Sequence, residues 1–382
     1  MRVAIYHNNL WARHKGVVFS QVEFGGVSRG ITPSFIQIAE TETMRVPLGG
    51  VDLSYHQYPF RLLFRGSYDC APLIRRILAL ARDLFKNPVD LVIMPGYDRA
   101  EYWTMLLICI LLRRKRAVFC DSTTADRPKT AWRELAKRWF FGWCNGFFCY
   151  GIRSKEYLMS YGVSESKIAL RCQAAALPRG YSAAKVLSRY ESNWESRADE
   201  PHFIYVGRLS AEKGLDDLLQ AFHKLYATYP KARLDLVGWG SLAEQLQRRA
   251  AQLGMAEAIS FLGVKSLDDI SELFLKGTAL VLPSHSEPWG LVVNESLSYG
   301  CPVVVSSACG CVPDLVLDGM TGYSFEVGNV DALHEALVSV MQFSANREAV
   351  ARKCLAVIAN FTPERSATQI LDGCLRMAGD KA

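Results

Sequence analysis

The chain has 382 residues, half of them hydrophobic and 21% charged, with a net charge of +6. That length exceeds one ordinary core and suits two domains, and the composition excludes a disordered chain. The longest apolar run, 103–112, is about half of the roughly 20 residues a spanning helix needs, and Met1-Arg2 leads straight into Val3–Tyr6 without a secretory signal, so a cytoplasmic protein is expected.

Eleven cysteines is an odd count, with no CxxC pair and no Cys/His cluster at zinc spacing, which predicts reduced thiols. Residues 1–178 hold 25 Lys and Arg against 14 Asp and Glu, whereas 179–382 hold 19 against 24. The basic first half points to an anionic partner, either a membrane surface or a phosphate-bearing acceptor; a solubilising surface is the plain alternative.

In chain order, 3–6, 91–94, 117–120 and 146–149 read as short buried strands. Helical spacing over 71–85, 102–112 and 132–141 lies between these strands. Alternation of this kind predicts a parallel sheet covered on both faces. The stretch 178–201 is rich in Ser, Gly and charge and reads as a linker. Strands at 203–206, 234–237, 259–262, 280–282, 302–306 and 322–325 then alternate with helices at 214–229, 242–253 and 267–275. A last helix over 363–377 could return to the first half. The expected division is an amino-terminal domain 1–178, a linker 179–200, a second domain 201–362 and a terminal helix 363–382.

Ligands of parallel sheets bind at the carboxyl ends of strands, and three loops of the second half carry suitable residues. In Gly207-Arg208-Leu209-Ser210-Ala211-Glu212-Lys213-Gly214, a planar Arg fork and a compact ammonium can together neutralise a pyrophosphate. In Glu287-Pro288-Trp289-Gly290-Leu291-Val292-Val293-Asn294-Glu295, Gly290 permits close backbone approach. The Leu291 and Val292 N–H groups are free donors at a helix start, and two acids flank them. Glu295 suits a ribose and Glu287 a sugar ring. The third loop, 306–314, contains Cys309-Gly310-Cys311 with no further metal ligands nearby, so free thiols are expected there.

The segment 203–337 resembles the carboxyl-terminal domain of the retaining glycosyltransferases of family 4. The motifs that carry this likeness are Gly207-Arg208-x4-Lys213-Gly214, Glu287-x7-Glu295, Gly300-x-Pro302-Val303-Val304, Gly310-x2-Pro313-Asp314 and Gly319-x-Thr321-Gly322. The resemblance implies the α/β architecture called GT-B, two Rossmann-like doubly wound parallel-sheet domains facing across a cleft. It implies a UDP- or GDP-sugar donor as substrate, with no cofactor and no metal. Arg208 and Lys213 would hold the diphosphate, Glu295 the ribose and Glu287 the transferred sugar, with backbone around 261–265, including Lys265, against the base. Gly25-Gly26 followed by Arg29 resembles the family's first-domain glycine loop. Two positions depart from the pattern. Trp239 replaces the acid between Gly238 and Gly240, and Asp121, after strand 117–120, stands where the family often has a histidine; Asp121 could equally cap the next helix, and His7 and His14 are alternatives.

The first domain would choose the acceptor. Arg113-Arg114-Lys115-Arg116 and the interleaved cations and aromatics of 132–143 suit a headgroup layer, or else pack on the sheet. The expected acceptor is a saccharide on a polyprenyl diphosphate, as in bacterial surface polysaccharide synthesis, met by a protein peripheral on the inner face of the membrane. Alternatives are a soluble acceptor or a two-Rossmann nucleotide-sugar epimerase. Nucleic acid is not expected, for want of a recognition motif.

Overall fold

In the computed structural model, residues 1–123, 130–191 and 200–379 are described. The first part of the chain runs β1 (Arg2–Asn9), α1 (Arg13–Ser28), β2 (Thr32–Ala39), β3 (Phe60–Leu62), α2 (Leu73–Lys86), β4 (Leu91–Met94), α3 (Ala100–Leu111), β5 (Lys115–Cys120), α4 (Ala131–Gly142), β6 (Gly146–Tyr150), α5 (Gly151–Ser160) and β7 (Ile168–Arg171). It continues with α6 (Ala183–Glu191), β8 (His202–Val206), α7 (Leu215–Thr228), β9 (Arg233–Val237), α8 (Ala243–Gln252), β10 (Ile259–Gly263), α9 (Leu267–Lys276), β11 (Ala279–Leu282), α10 (Leu291–Ser298) and β12 (Val303–Ser306). The last elements are α11 (Val312–Leu315), β13 (Gly322–Phe325), α12 (Val330–Phe343), α13 (Arg347–Ile358) and α14 (Pro363–Gly379). These elements form two compact units, Met1–Ala176 with Thr362–Ala382, and Leu177–Phe361.

Unit 1 is built on a seven-stranded sheet in the order β3-β2-β1-β4-β5-β6-β7, parallel at every pairing. Strands β4 and β6 are buried at every residue, which is why they read as unbroken apolar runs rather than alternating ones. On one face the core takes Leu80 and Leu84 from α2, Met105 and Leu106 from α3, and Phe140 and Phe141 from α4. The other face takes Val18, Phe19 and Val22 from α1 together with Ile370, Leu371 and Cys374 from α14. The terminal helix therefore completes unit 1. Lys115 Nζ donates to the carbonyls of Met377 and Ala378 at its end. A Cβ at Gly146 would lie 2.3 Å from the Met377 side chain, which rests directly on β6 in the space the glycine leaves.

Unit 2 holds a six-stranded parallel sheet in the order β10-β9-β8-β11-β12-β13. Counted within the unit this is 3-2-1-4-5-6, the doubly wound nucleotide-binding order, whose direction reverses between β8 and β11. Helix α9 begins with a full capping box, Ser266 accepting from the Asp269 N–H and Asp269 accepting from the Ser266 N–H, worth about 1 kcal/mol.

The stretch expected to be a linker is partly ordered. Helix α6 belongs to unit 2, where the Tyr190 hydroxyl donates to the Tyr299 carbonyl at 2.8 Å and Arg189 pairs with Glu272. Its amphipathic face, with Val186 buried, was hidden by the flanking Ser and Gly. Residues 192–199 lie outside the described part. Among the described residues no helix is long and apolar enough to cross a membrane.

Candidate functional site

Loops leaving β8 and β11 meet at the point where the unit 2 sheet reverses direction. Behind β8 the chain turns through Gly207, and Tyr205 fixes the turn by donating from its hydroxyl to the Arg208 carbonyl at 2.6 Å. A 3-10 turn, Ala211–Lys213, ends at Gly214 with φ of +63°. A Cβ at Gly214 would sit 2.1 Å from the Pro283 carbonyl oxygen; glycine is what allows the two loops to touch. The His285 N–H then donates to the Glu212 carbonyl at 2.9 Å and joins them.

That contact brings together two groups 74 residues apart in sequence: buried Lys213 donates from Nζ to Glu287 Oε2 at 2.5 Å. Arg208 pairs with Glu212 at 2.9 Å, its side chain 45% exposed, so its remaining donors face outward. Gly290, at φ of +97°, caps α10. Leu291 and Val292 form the first turn of α10, where N–H groups lack intrahelical partners and no acidic residue stands in the way. Glu295 follows one turn later and is half-buried.

The departure at Trp239 has a structural account. Gly238 lies at φ of +138°, and a Cβ there would be 1.8 Å from the Gly207 carbonyl oxygen; one at Gly240 would be 2.2 Å from that of Leu209. Both glycines press this loop against the Arg208 loop, with the Leu209 N–H donating to the Trp239 carbonyl at 2.9 Å. The residue between them carries no such constraint and its indole is exposed. Lys265 is exposed just beyond β10, on the same carboxyl edge. Cys309 and Cys311 are buried thiols, the latter pushed up by burial.

Unit 1 departs from expectation at the glycine pair and at the basic run. Gly25 and Gly26 form no phosphate loop. They lie in the closing turns of α1, where a Cβ at Gly25 would press on Leu371 of α14 and one at Gly26 on the Ile31 carbonyl; they are packing glycines, and Arg29 close behind them pairs with Asp372. Of the basic run 113–116, Arg114 donates to the Leu84 and Asn87 carbonyls and Lys115 to the end of α14. Arg116 donates to the Arg114 carbonyl, so three of the four cations serve the fold. Asp121 is exposed at the end of β5, and the cap of α4 is Thr130 rather than Asp121.

The aromatics of 132–143 divide between two sides of α4. Phe140 and Phe141 enter the core, whereas Trp132, Trp139 and Trp143 are 69%, 63% and 49% exposed. Leu135 completes this outward stripe, and exposed Leu107 and Leu111 lie on α3, whose Trp103 packs on Phe140.

Two cations at the carboxyl edge of unit 1 escaped sequence reasoning. Lys15 and Arg171 are both buried, and both lie over the Phe119 and Tyr150 rings. Burial, with Arg171 adding, holds Lys15 well below the ordinary lysine range; burial brings Arg171 down to about 9, which Asp121 partly offsets. Burial, with Lys15 adding, lowers His7 to about 3 and His14 well below its usual range, so both are neutral near pH 7.

Residues 188–353 match the family described as glycosyl transferases group 1. Glycogen synthase of Mycobacterium tuberculosis is 34% identical over 156 residues, 41% of this chain and 37% of the relative. The O-antigen chain mannosyltransferase B of Escherichia coli is 28% identical over 206 residues, 53% of this chain and 52% of the relative. The chain thus spans about half or less of these curated relatives. Among solved structures, a lipopolysaccharide outer core galactosyltransferase superposes with a TM-score of 0.72 at 17% identity, covering 98% of this chain and 99% of that one. An Anabaena protein, HepE, in complex with UDP-glucose superposes at 0.70 and 16%, covering 98% and 99%. Residues 188–353, all within unit 2, thus match the glycosyl transferases group 1, and the two doubly wound sheets have the GT-B fold of these structures.

Proposed function

We propose that this chain is a retaining, metal-independent glycosyltransferase of family 4, which moves a sugar from a nucleotide-diphosphate sugar to a saccharide carried on a lipid at an anionic membrane surface. The observation that carries the reading is the Lys213–Glu287 pair at the reversal point of the unit 2 sheet, beside the bare first turn of α10. Lys213, Arg208 and the Leu291 and Val292 N–H groups take the diphosphate, whose developing charge they stabilise as the glycosidic C–O bond breaks. Gly207 and Gly290 give the backbone room to approach. Glu287 holds Lys213 in place and presents its free carboxylate oxygen to hydroxyls of the sugar, and Glu295 takes the ribose. Lys265 borders the base.

The acceptor hydroxyl attacks the anomeric carbon on the face that the diphosphate leaves. Its proton passes to an oxygen of the departing phosphate, so charge and atoms balance without a covalent enzyme intermediate. Asp121 positions the acceptor. The outward stripe of Trp132, Leu135, Trp139 and Trp143, flanked by exposed Arg133 and Arg138, supports contact with a headgroup layer. Relatives and neighbours named for O-antigen and lipopolysaccharide synthesis support a surface-polysaccharide acceptor, and the bound UDP-glucose of HepE supports a UDP-sugar donor. Localisation follows as cytoplasmic and peripheral on the inner face of the membrane.

A panel of UDP- and GDP-sugars tested by thermal shift, with slow donor hydrolysis as the second readout, tests the donor assignment. One donor should raise the melting temperature and be cleaved; a panel in which none does either overturns the reading.

A further inference from the structure

Trp239 stands where the sequence pattern expects an acid, and the steps above give it no role. It follows β9 in the turn Gly238-Trp239-Gly240, which its neighbours fix from both sides. Toward β8, the Leu209 N–H donates to the Trp239 carbonyl at 2.9 Å, and the two glycines press on the Gly207 and Leu209 carbonyls. Toward β10, the Gly238 N–H donates to the Gly263 carbonyl at 2.8 Å. The backbone that carries the indole is therefore held by both flanking strand ends, while the indole itself is 53% exposed. Among the described residues it has no aromatic or cationic neighbour, and its N–H has no protein acceptor.

The end of the neighbouring strand presents a second apolar side chain. β10 shifts register between Phe261 and Gly263, and Gly263 turns at φ of +65°. The residue after that turn, Val264, is 54% exposed. A single exposed apolar side chain needs no explanation. Two on adjacent strand ends, at the edge where a parallel sheet takes its ligands, call for one. A rigid aromatic plane in solvent binds by stacking. Neither a diphosphate nor the hydroxyls of a sugar offer a flat face to it, whereas a nucleobase does. The position agrees. Neighbouring strands lie about 4.8 Å apart, so the ends of β9 and β10 fall about 5 and 10 Å along the edge from β8, whose loop carries Arg208 and Lys213. A nucleoside whose diphosphate rests on that loop brings its base across this distance.

We infer that Trp239 is a base-stacking residue of the donor site: the nucleobase lies against the indole, with Val264 at its rim, and unit 2 alone supplies both. The inference rests on the nucleotide-sugar reading and adds to it the side chain that meets the base. Stacking is blind to the hydrogen-bonding edge of a base, so Trp239 contributes affinity for any flat base rather than a choice between them. The two glycines serve this role as well as the loop contact, because they hold the indole outward in one place and spare the base the ordering of a mobile loop. An acid between the same glycines would offer no such face.

The test is titration of UDP, GDP and inorganic pyrophosphate into the full chain, its Trp239→Ala variant and its Trp239→Phe variant. The nucleotide that binds the parent should bind Trp239→Ala about tenfold more weakly. Trp239→Phe should recover most of that loss, since a phenyl ring still stacks. Pyrophosphate has no base, so its affinity should be the same in all three proteins. Saturating nucleotide should quench the tryptophan emission of the parent more than that of Trp239→Phe, because the indole that meets the base is gone. The indole is exposed, so the urea midpoints of both variants should match the parent. Equal nucleotide affinity in the parent and Trp239→Ala overturns the stacking role and leaves the transferase reading standing. A fall in pyrophosphate affinity as large as that for the nucleotide also overturns it, because the turn would then only brace the Arg208 loop. Failure of both nucleotides to bind the parent overturns the transferase reading and this inference with it.

Discussion

The carboxyl edges of the two sheets handle cations in opposite ways. In unit 2, Lys213 is buried against Glu287 and Arg208 is matched by Glu212, so the loops are electrically complete before any ligand arrives. In unit 1, Lys15 and Arg171 are buried over aromatic rings with no carboxylate bonded to the guanidinium. Paired cations can be held rigidly at low cost, which suits a site whose geometry must be ready for bond breaking. Unpaired ones carry a desolvation cost that the two rings offset only in part. The lesson is that charge count alone would have ranked the surface run 113–116 first, whereas burial and pairing pick out two cations that no run contains.

The largest effect expected on this comparison is at its paired side. Lys213→Ala should lower sugar transfer by about 10²–10³-fold, the usual loss when one stabilising donor leaves a charged transition state. Circular dichroism should remain that of the parent. Near-parental turnover would show that the diphosphate is held elsewhere. Next comes the loop contact that builds the site. Gly238→Ala must move the Gly207 carbonyl and adopt a strained φ, so it should cost about 3 kcal/mol in urea unfolding and weaken the donor together with stability. Loss of stability without loss of donor affinity would separate the Trp239 loop from the site.

A smaller effect tests the outward side of unit 1. Replacing Trp132, Trp139 and Trp143 together by serine should lower co-sedimentation with phosphatidylglycerol vesicles about tenfold while leaving unfolding nearly unchanged, since all three indoles are exposed. Equal sedimentation of variant and parent would detach the stripe from any membrane. The smallest effect is a pH slope. The unfolded chain protonates His7 near pH 6.5 and the folded chain near 3. The unfolded state therefore binds the extra proton between those values, and stability falls as pH drops through that window while being fully present above it. His7→Gln should flatten the slope by about 1.4 kcal/mol per pH unit; an unaltered slope would mean that the ring is solvated.

Much of the fold was legible because parallel strands buried on both faces leave short apolar runs. The strands 91–94, 203–206 and 280–282 could be read directly for that reason. Helix α1 could not. Its sequence mixes β-branched residues with Gly16, Gly25 and Gly26, so apolar side chains point to no single face and the glycines mimic a loop. Misplacing the glycine loop followed from that. In the site, the cations and acids of 207–213 and 287–295 were visible from their spacing, but what joins them, Gly214 under the Pro283 carbonyl, is a contact between distant loops that spacing does not encode. Arg171 was missed because a strand ending in arginine ordinarily emerges into solvent, and only the packed Tyr150 and Phe119 keep this one from doing so.

Titration calorimetry of UDP and of GDP with the parent chain, Lys213→Ala and Glu295→Ala tests the central claim most directly. One diphosphate should bind the parent at a single site, with affinity falling about 10- to 100-fold in each variant, as charged hydrogen bonds to phosphate and ribose are lost. Binding that is equally tight in all three proteins would contradict the assignment of the nucleotide to the edge where β8 and β11 part.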